Sequence, residues 1–178
     1  MPELNNSKTK ANLEYALAGE SMARNKYTYF ASVARKEGYE QIAAIFEETA
    51  NNEKEHAKLW FKELGLLSNT EANLISAAAG EHEEWTHMYK EFSEIAAAEG
   101  FEDLSRRLAR VAEVEKRHEK RYLDLLENMK KNQVFQRKPA VRWECRNCGF
   151  VYEGEKAPEM CPVCKHPLAF FQIEPNNY

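Results

Sequence analysis

Two stretches of this 178-residue chain repeat one arrangement of metal-binding side chains: Glu53-x-x-His56 in "EKEHA" and Glu115-x-x-His118 in "EKRHEKRYLD". Residues three apart on an α-helix lie on one face, a turn apart, so the carboxylate and imidazole of each pair can reach the same ion. Each pair interrupts an apolar stripe with helical spacing. Ile42, Ile45, Phe46, Thr49, Ala50 and Trp60 flank the first; Leu104, Leu108, Val111, Ala112 and Tyr122 flank the second. A lone carboxylate buried in such a stripe is costly unless it is paired or bound to a metal. A single Glu-x-x-His arises by chance on any acid-rich helix, and Glu47, Glu48, Glu83, Glu113 and His82 read as charges on solvated faces. Two copies on core-facing stripes do not fit that reading.

The copies belong to an internal repeat. Residues 34–60 align without a gap on residues 96–122, an offset of 62, with Gly38/Gly100, Glu53/Glu115 and His56/His118 among the identities. Upstream, Ala18-Gly19-Glu20 matches Ala79-Gly80-Glu81 at an offset of 61, whereas Tyr27 and Tyr89 are again 62 apart, so the second copy has gained one residue in between. Glu20 and Glu81 therefore add one glutamate per half. One glutamate on each of two helices, with Glu-x-x-His on each of two others, is the ligand constellation of di-iron and di-manganese carboxylate bundles. Hard oxygen donors with only two imidazoles suit iron or manganese better than zinc or copper.

One acid breaks the symmetry. Glu84 lies three residues beyond Glu81, where the first half has Ala23. A metal with both a carboxylate and a histidine in reach can exchange one for the other as its charge changes, and Glu84 and His56 are the candidates for that exchange. Tyr27 and Tyr89, two turns beyond Glu20 and Glu81, read equally as supports for the carboxylates through their hydroxyls and as packed bundle tyrosines whose hydroxyls reach solvent. Trp60, Trp85, Met22 and Met88 read as core.

Each half reads as two helices, broken at Gly38 and Gly100, with Gly65 closing the second and Ser68 or Asn69 opening the third. Four long helices with short connections pack as an antiparallel bundle. There is no proline between Asn5 and Lys138, while five of the six prolines and all four cysteines crowd the last forty residues. The division expected is a helical body over 1–135, and a charged linker with a small module over 136–178. A net charge of −4 argues against nucleic acid as a partner. No segment is apolar enough to cross a membrane, and "MPELNNSKTK" lacks the apolar run of a secretory signal, which points to the cytoplasm.

Cys145-x-x-Cys148 and Cys161-x-x-Cys164 define the module. Fewer than about 40 residues rarely fold without a metal or disulfides, and disulfides are the poorer reading without a secretory signal. Four thiolates can hold a structural zinc or a redox-active iron. Trp143, Phe150, Tyr152, Phe170 and Phe171 are expected to form a dry core around the sulfurs. An adjacent oxygen-reactive metal pair needs single electrons, which favours iron.

With "AGESMARNKY", "EKEHA", "AAGEHEEWTHMY", "EKRHEKRYLD", "CRNCGFV" and "CPVCKHP" in this order, the chain resembles the rubrerythrin family over nearly its full length. The resemblance implies a mainly α protein: a ferritin-like four-helix bundle followed by a rubredoxin-like domain, in a homodimer or higher homo-oligomer. It implies an oxo- and carboxylate-bridged di-iron site on Glu20, Glu53, His56, Glu81, Glu84, Glu115 and His118. One further iron is implied on Cys145, Cys148, Cys161 and Cys164. Tyr27 and Tyr89 match the family's supporting tyrosines, while Lys165 stands where rubredoxin knuckles carry glycine. The implied activity is reduction of hydrogen peroxide to water in oxidative stress defence. Its electrons come from NAD(P)H through a separate reductase and small carriers such as rubredoxin, since the chain has no glycine-rich nucleotide loop of its own. The competing readings are a ferritin-like iron oxidation and storage protein, and a bundle with a structural zinc knuckle.

Overall fold

The glycines that end the helices do so through one hydrogen-bonding pattern. In a computed structural model, which describes residues 4–176, α2 (Glu40–Glu63) closes with Gly65 at φ +71°. The Gly65 N–H donates to the Lys62 carbonyl and the Leu66 N–H to the Phe61 carbonyl, at 2.9 and 3.0 Å. This is the Schellman cap, which needs a left-handed residue that glycine supplies without strain. Gly38 and Gly100 close α1 (Lys8–Lys36) and α4 (Tyr89–Ala98) the same way. At the other ends, Ser7 accepts from the Lys10 N–H to cap α1, and Asn69 accepts from the Ala72 N–H to cap α3 (Thr70–Glu83). Between α3 and α4 the helix widens into one π-helical turn, Glu84–Met88, and α5 runs from Glu102 to Lys130. The helices expected from the repeat are all present, and Asn69, one of the two capping residues proposed for the third, is its N-cap.

The chain divides into two compact units, one ending at Ser68 and the other beginning at Asn69. In the first, α1 and α2 form a helical hairpin. Ala31, Ala34 and Ala43 are buried where the helices approach, with Phe46 against them and Phe30 meeting Phe46 edge-on at 5.6 Å. Arg35 bonds Glu47 across the hairpin at 2.8 Å. In the second, α3 and α4 both pack on α5, where the Ser93 and Ser105 hydroxyls meet at 3.0 Å. Ile42, Ile45 and Leu104, which their spacing assigns to buried stripes, are instead among the exposed large hydrophobic residues.

The second unit also holds a three-stranded antiparallel sheet ordered β2-β1-β3, from β1 (Gln136–Cys145), β2 (Val151–Lys156) and β3 (Phe171–Ile173). The stretch expected as a charged linker is partly strand, since Gln136 already pairs with Lys156. The register is interrupted between Gln136 and Val141, where Pro139 has no N–H for the ladder. Trp143, Cys145, Ala157, Cys161 and Phe171 form the core. Tyr152 and Phe170, expected in it, are 43% and 38% exposed. Tyr152 stands opposite the buried Trp143 across the β1–β2 ladder, but on the outer strand β2, with its ring lying over Gly154, and Phe170 turns its ring to His166 at 4.4 Å. Among the described residues no helix is long and apolar enough to cross a membrane.

Candidate metal centres

The α1–α2 hairpin brings Glu20, Glu53 and His56 together, with one donor atom from each lying within 4.8 Å of the others. His56 Nδ1 is 2.7 Å from Glu53 Oε2 and 4.0 Å from Glu20 Oε1. The second unit repeats the trio: Glu81, Glu115 and His118 meet the same 4.8 Å limit. His118 Nδ1 is 2.6 Å from Glu115 and 3.6 Å from Glu81. These distances mirror the sequence repeat. Each trio offers two carboxylates and one imidazole, the hard oxygen-rich donor set that iron or manganese takes.

Crowding of carboxylates marks the second trio. Burial holds Glu81 above the usual carboxylate range; the Glu115 and Glu84 charges add to this, while His118 opposes it. Tyr89 also moves up, first through burial and then through the charges of Glu84, Glu115 and Glu81. Acids held together in this way favour a bound cation. Glu84 is half-buried, unlike exposed Glu83, and near enough to act on both Glu81 and Tyr89 while staying outside the trio. Glu84 opens the π-helical turn, and that turn holds the residue by which the second repeat exceeds the first. A π-turn widens a helix by one residue and recurs at functional sites.

The two tyrosines are not equivalent. Tyr89 lies among the carboxylates, whereas Tyr27 stacks on Phe46 with centroids 6.2 Å apart. One cluster escaped the sequence. His82 Nδ1 and Trp85 Nε1 both bond the Glu119 carboxylate, at 2.9 and 2.5 Å, and Lys116 lies over the Trp85 ring. His82 is thus tied to α5 rather than being only a solvated-face charge. The signal was available in the three-residue spacing of His82 and Trp85 on one helix face, with Glu119 beside ligand His118.

In the strand module the four sulfurs lie within 4.8 Å of one another. Cys145 to Cys164 is 3.7 Å and Cys148 to Cys161 is 3.6 Å. A tetrahedral metal with metal–sulfur bonds of about 2.3 Å sets its sulfurs roughly 3.8 Å apart, whereas a disulfide needs about 2.05 Å. The sulfurs therefore fit a tetrathiolate metal. Two matching knuckles hold them. The Gly149 N–H donates to the Cys145 carbonyl and the Lys165 N–H to the Cys161 carbonyl, at 2.8 and 3.0 Å. Gly149 has φ +75°, and Lys165 takes the same left-handed conformation at +63°. The His166 N–H bonds the Cys164 sulfur and brings that thiol down to about 5, with further help from the Cys148 and Cys161 thiols. Cys148 accepts from the Phe150 N–H, which favours its thiolate, yet desolvation and the other three sulfurs push it up to about 12. A metal replaces this sharing of protons by deprotonating all four.

A family model described as Rubrerythrin matches residues 11–126, and one described as the rubredoxin-like domain of rubrerythrin matches residues 143–172. Rubrerythrin from Nitratidesulfovibrio vulgaris is 48% identical over 186 residues, which cover 97% of each chain. That from Porphyromonas gingivalis is 49% identical over 185 residues, covering 97% of this chain and 92% of the relative. Rubrerythrin-1 from Clostridium acetobutylicum is 46% identical over 195 residues and is aligned along the whole of both chains.

Proposed function

The chain belongs to the rubrerythrin family, and on that premise we propose that it is a non-haem di-iron peroxidase reducing hydrogen peroxide to water. Its cofactors are a non-haem iron pair and one iron on four thiolates, for which the two Glu/Glu/His trios and the four cysteines are the ligand groups. An iron pair held there would supply two-electron reducing chemistry for the O–O bond, and an iron held by the four thiolates would supply electrons one at a time. With two protons, each peroxide yields two waters. Glu20, Glu53 and His56 would hold one half of the pair's ligand set and Glu81, Glu115 and His118 the other. Cys145, Cys148, Cys161 and Cys164 would hold the single iron.

The observation that carries this reading is Glu84, a half-buried carboxylate kept beside Glu81 but outside its trio. It gives one half of the ligand set an acid in reserve, free to take the place of His56, which simple iron deposition does not need. Tyr89 has its proton held more firmly than a free tyrosine, so at neutral pH its hydroxyl can donate to a neighbouring carboxylate. Tyr27, at the matching position of the first half, stacks its ring on Phe46 and would support the carboxylates there only through its hydroxyl. NAD(P)H, a separate reductase and a rubredoxin-like carrier in the cytoplasm would return the electrons.

The test is anaerobic stopped flow. Fully reduced, iron-loaded protein freed of excess reductant is mixed with one equivalent of peroxide while the iron–thiolate absorption is followed. Rapid return of that absorption is expected, and Glu84→Ala should slow it by about tenfold or more at unchanged iron content, the scale of loss when a supporting group at a metal site is removed. Protein that stays bleached under peroxide while dioxygen oxidises it readily would instead identify an iron-oxidising protein. Zinc in the thiolate site would remove the internal electron donor.

A further inference from the structure

The helical ligand bundle needs a connection that this chain is too short to make. A ferritin-like bundle joins its two helical pairs by one long crossover along the bundle. The 24 residues of α2 span about 36 Å at 1.5 Å per residue. Between the end of α2 at Glu63 and the start of α3 at Thr70 lie only residues 64–69. Drawn out completely, they reach at most about 25 Å. They are not free to be drawn out either. Leu64, Gly65 and Leu66 are bonded into the cap of α2 and Asn69 caps α3, leaving Leu67 and Ser68 between the caps.

The faces that carry the ligands are uncovered. Ile42 and Leu104 are mates in the internal repeat, each eleven residues before a ligand glutamate. Eleven residues are three helical turns, so each shares the stripe of Glu53 or Glu115. Yet they are 48% and 47% exposed. Beneath Ile42 the hairpin core is mainly alanine, with Ala31, Ala34, Ala43 and Ala50 buried, which is thin for two helices of this length.

We propose that the bundle is completed by a second copy of this chain. The ligand-bearing face of the α1–α2 hairpin packs on α3–α5 of the partner, and the partner's hairpin packs on α3–α5 of the first. Taking the two halves from different chains removes the need for a crossover, and reciprocal exchange closes a two-fold dimer. A short hinge is the circumstance that favours such exchange. Each di-iron site then takes Glu20, Glu53 and His56 from one copy and Glu81, Glu84, Glu115 and His118 from the other.

This rests on the ligand set proposed above, and the test separates the two. Two differently tagged full-length chains are co-expressed, one carrying E53A/H56A and the other E115A/H118A, and mixed dimers are isolated through both tags. Exchange unites both damaged halves in one site and both intact halves in the other. Mixed dimers should then hold half the non-thiolate iron of the wild-type dimer, with the near-ultraviolet absorption of a ferric pair, while either variant alone holds almost none. Mixed dimers no better loaded than their parents, or chains that never associate, overturn the proposal; H56A with H118A serves if the double variants fail to fold. Inserting about 15 flexible residues after Leu67 adds up to about 50 Å of extended reach, more than the length of α2, and should abolish the rescue by letting each chain close on itself. Sedimentation tests exchange without iron, since a monomeric wild-type chain overturns it. A dimeric wild type without non-thiolate iron overturns the ligand set instead.

Discussion

Lys165 holds the place in the second cysteine knuckle that Gly149 holds in the first, at φ +63° against +75°. A residue with a Cβ spends about 1–2 kcal/mol in the left-handed region, and glycine gives part of that back as unfolded-state entropy. Lys165→Gly should therefore stabilise the strand module by about 0.5–1 kcal/mol, read as slower iron release in denaturant; faster release would mean that the lysine side chain supports the knuckle. The departure from glycine was legible in the sequence, but its meaning needed the matching N–H bonds to Cys145 and Cys161. At Glu84 the sequence showed an acid opposite Ala23 that breaks the symmetry of the two trios, and the structure places it half-buried beside Glu81 but outside the trio. What spacing could not tell was that Tyr27 turns its ring onto Phe46 while Tyr89 stays among carboxylates. That difference lies in side-chain packing between helices, which periodicity along one helix does not encode.

Among the elements, the π-helical turn Glu84–Met88 was visible in the sequence only as a change of offset from 61 to 62. An inserted residue can loop out, shift a helix by 100° or be absorbed as a π-turn. The choice rests on α3 and α4 both keeping their faces on α5, with Ala78 and Ala96 buried. Because the turn absorbs one residue without changing the phase downstream, deleting exposed His87 should restore an unbroken helix like that of the first half. Thermal unfolding by circular dichroism should then show stability kept within about 1 kcal/mol or improved, since π-turns persist for function more than for packing. The reaction with peroxide should slow by about tenfold, the scale of a displaced supporting group. A lower melting temperature would mean that α4 depends on the turn for its contacts. Helix ends were legible because glycine caps are local chemistry. The exposure of Ile42 and Leu104 was not, since a stripe in sequence says that a face seeks cover and not which chain supplies it.

For the molecule as a whole, the helical part and the strand module depend on metal to different degrees. The helices have backbone bonds and caps of their own, and their ligand trios are small parts of long elements. Two of the five buried core residues of the module, Cys145 and Cys161, are themselves ligands. Among the described residues the only large side chains left in that buried core are Trp143, whose Nε1 donates to the Gly154 carbonyl at 2.9 Å, and Phe171. Metal binding and folding are then one equilibrium for the module, as its length below about 40 residues and its four cysteines suggested. Removing the thiolate iron with a mercurial reagent and a chelator should leave the helical circular dichroism nearly intact. It should also shift Trp143 fluorescence to the red, read in a W60F/W85F background, and open the chain to trypsin at Arg142 in β1 and at Arg146 just after it. Trp143 that stays buried without metal would show that Phe135, Val141, Phe150 and Leu168, which pack around this core, are enough to hold the sheet. The iron would then be a passenger in a fold already complete, and the electron donor could be lost without losing the domain that carries it.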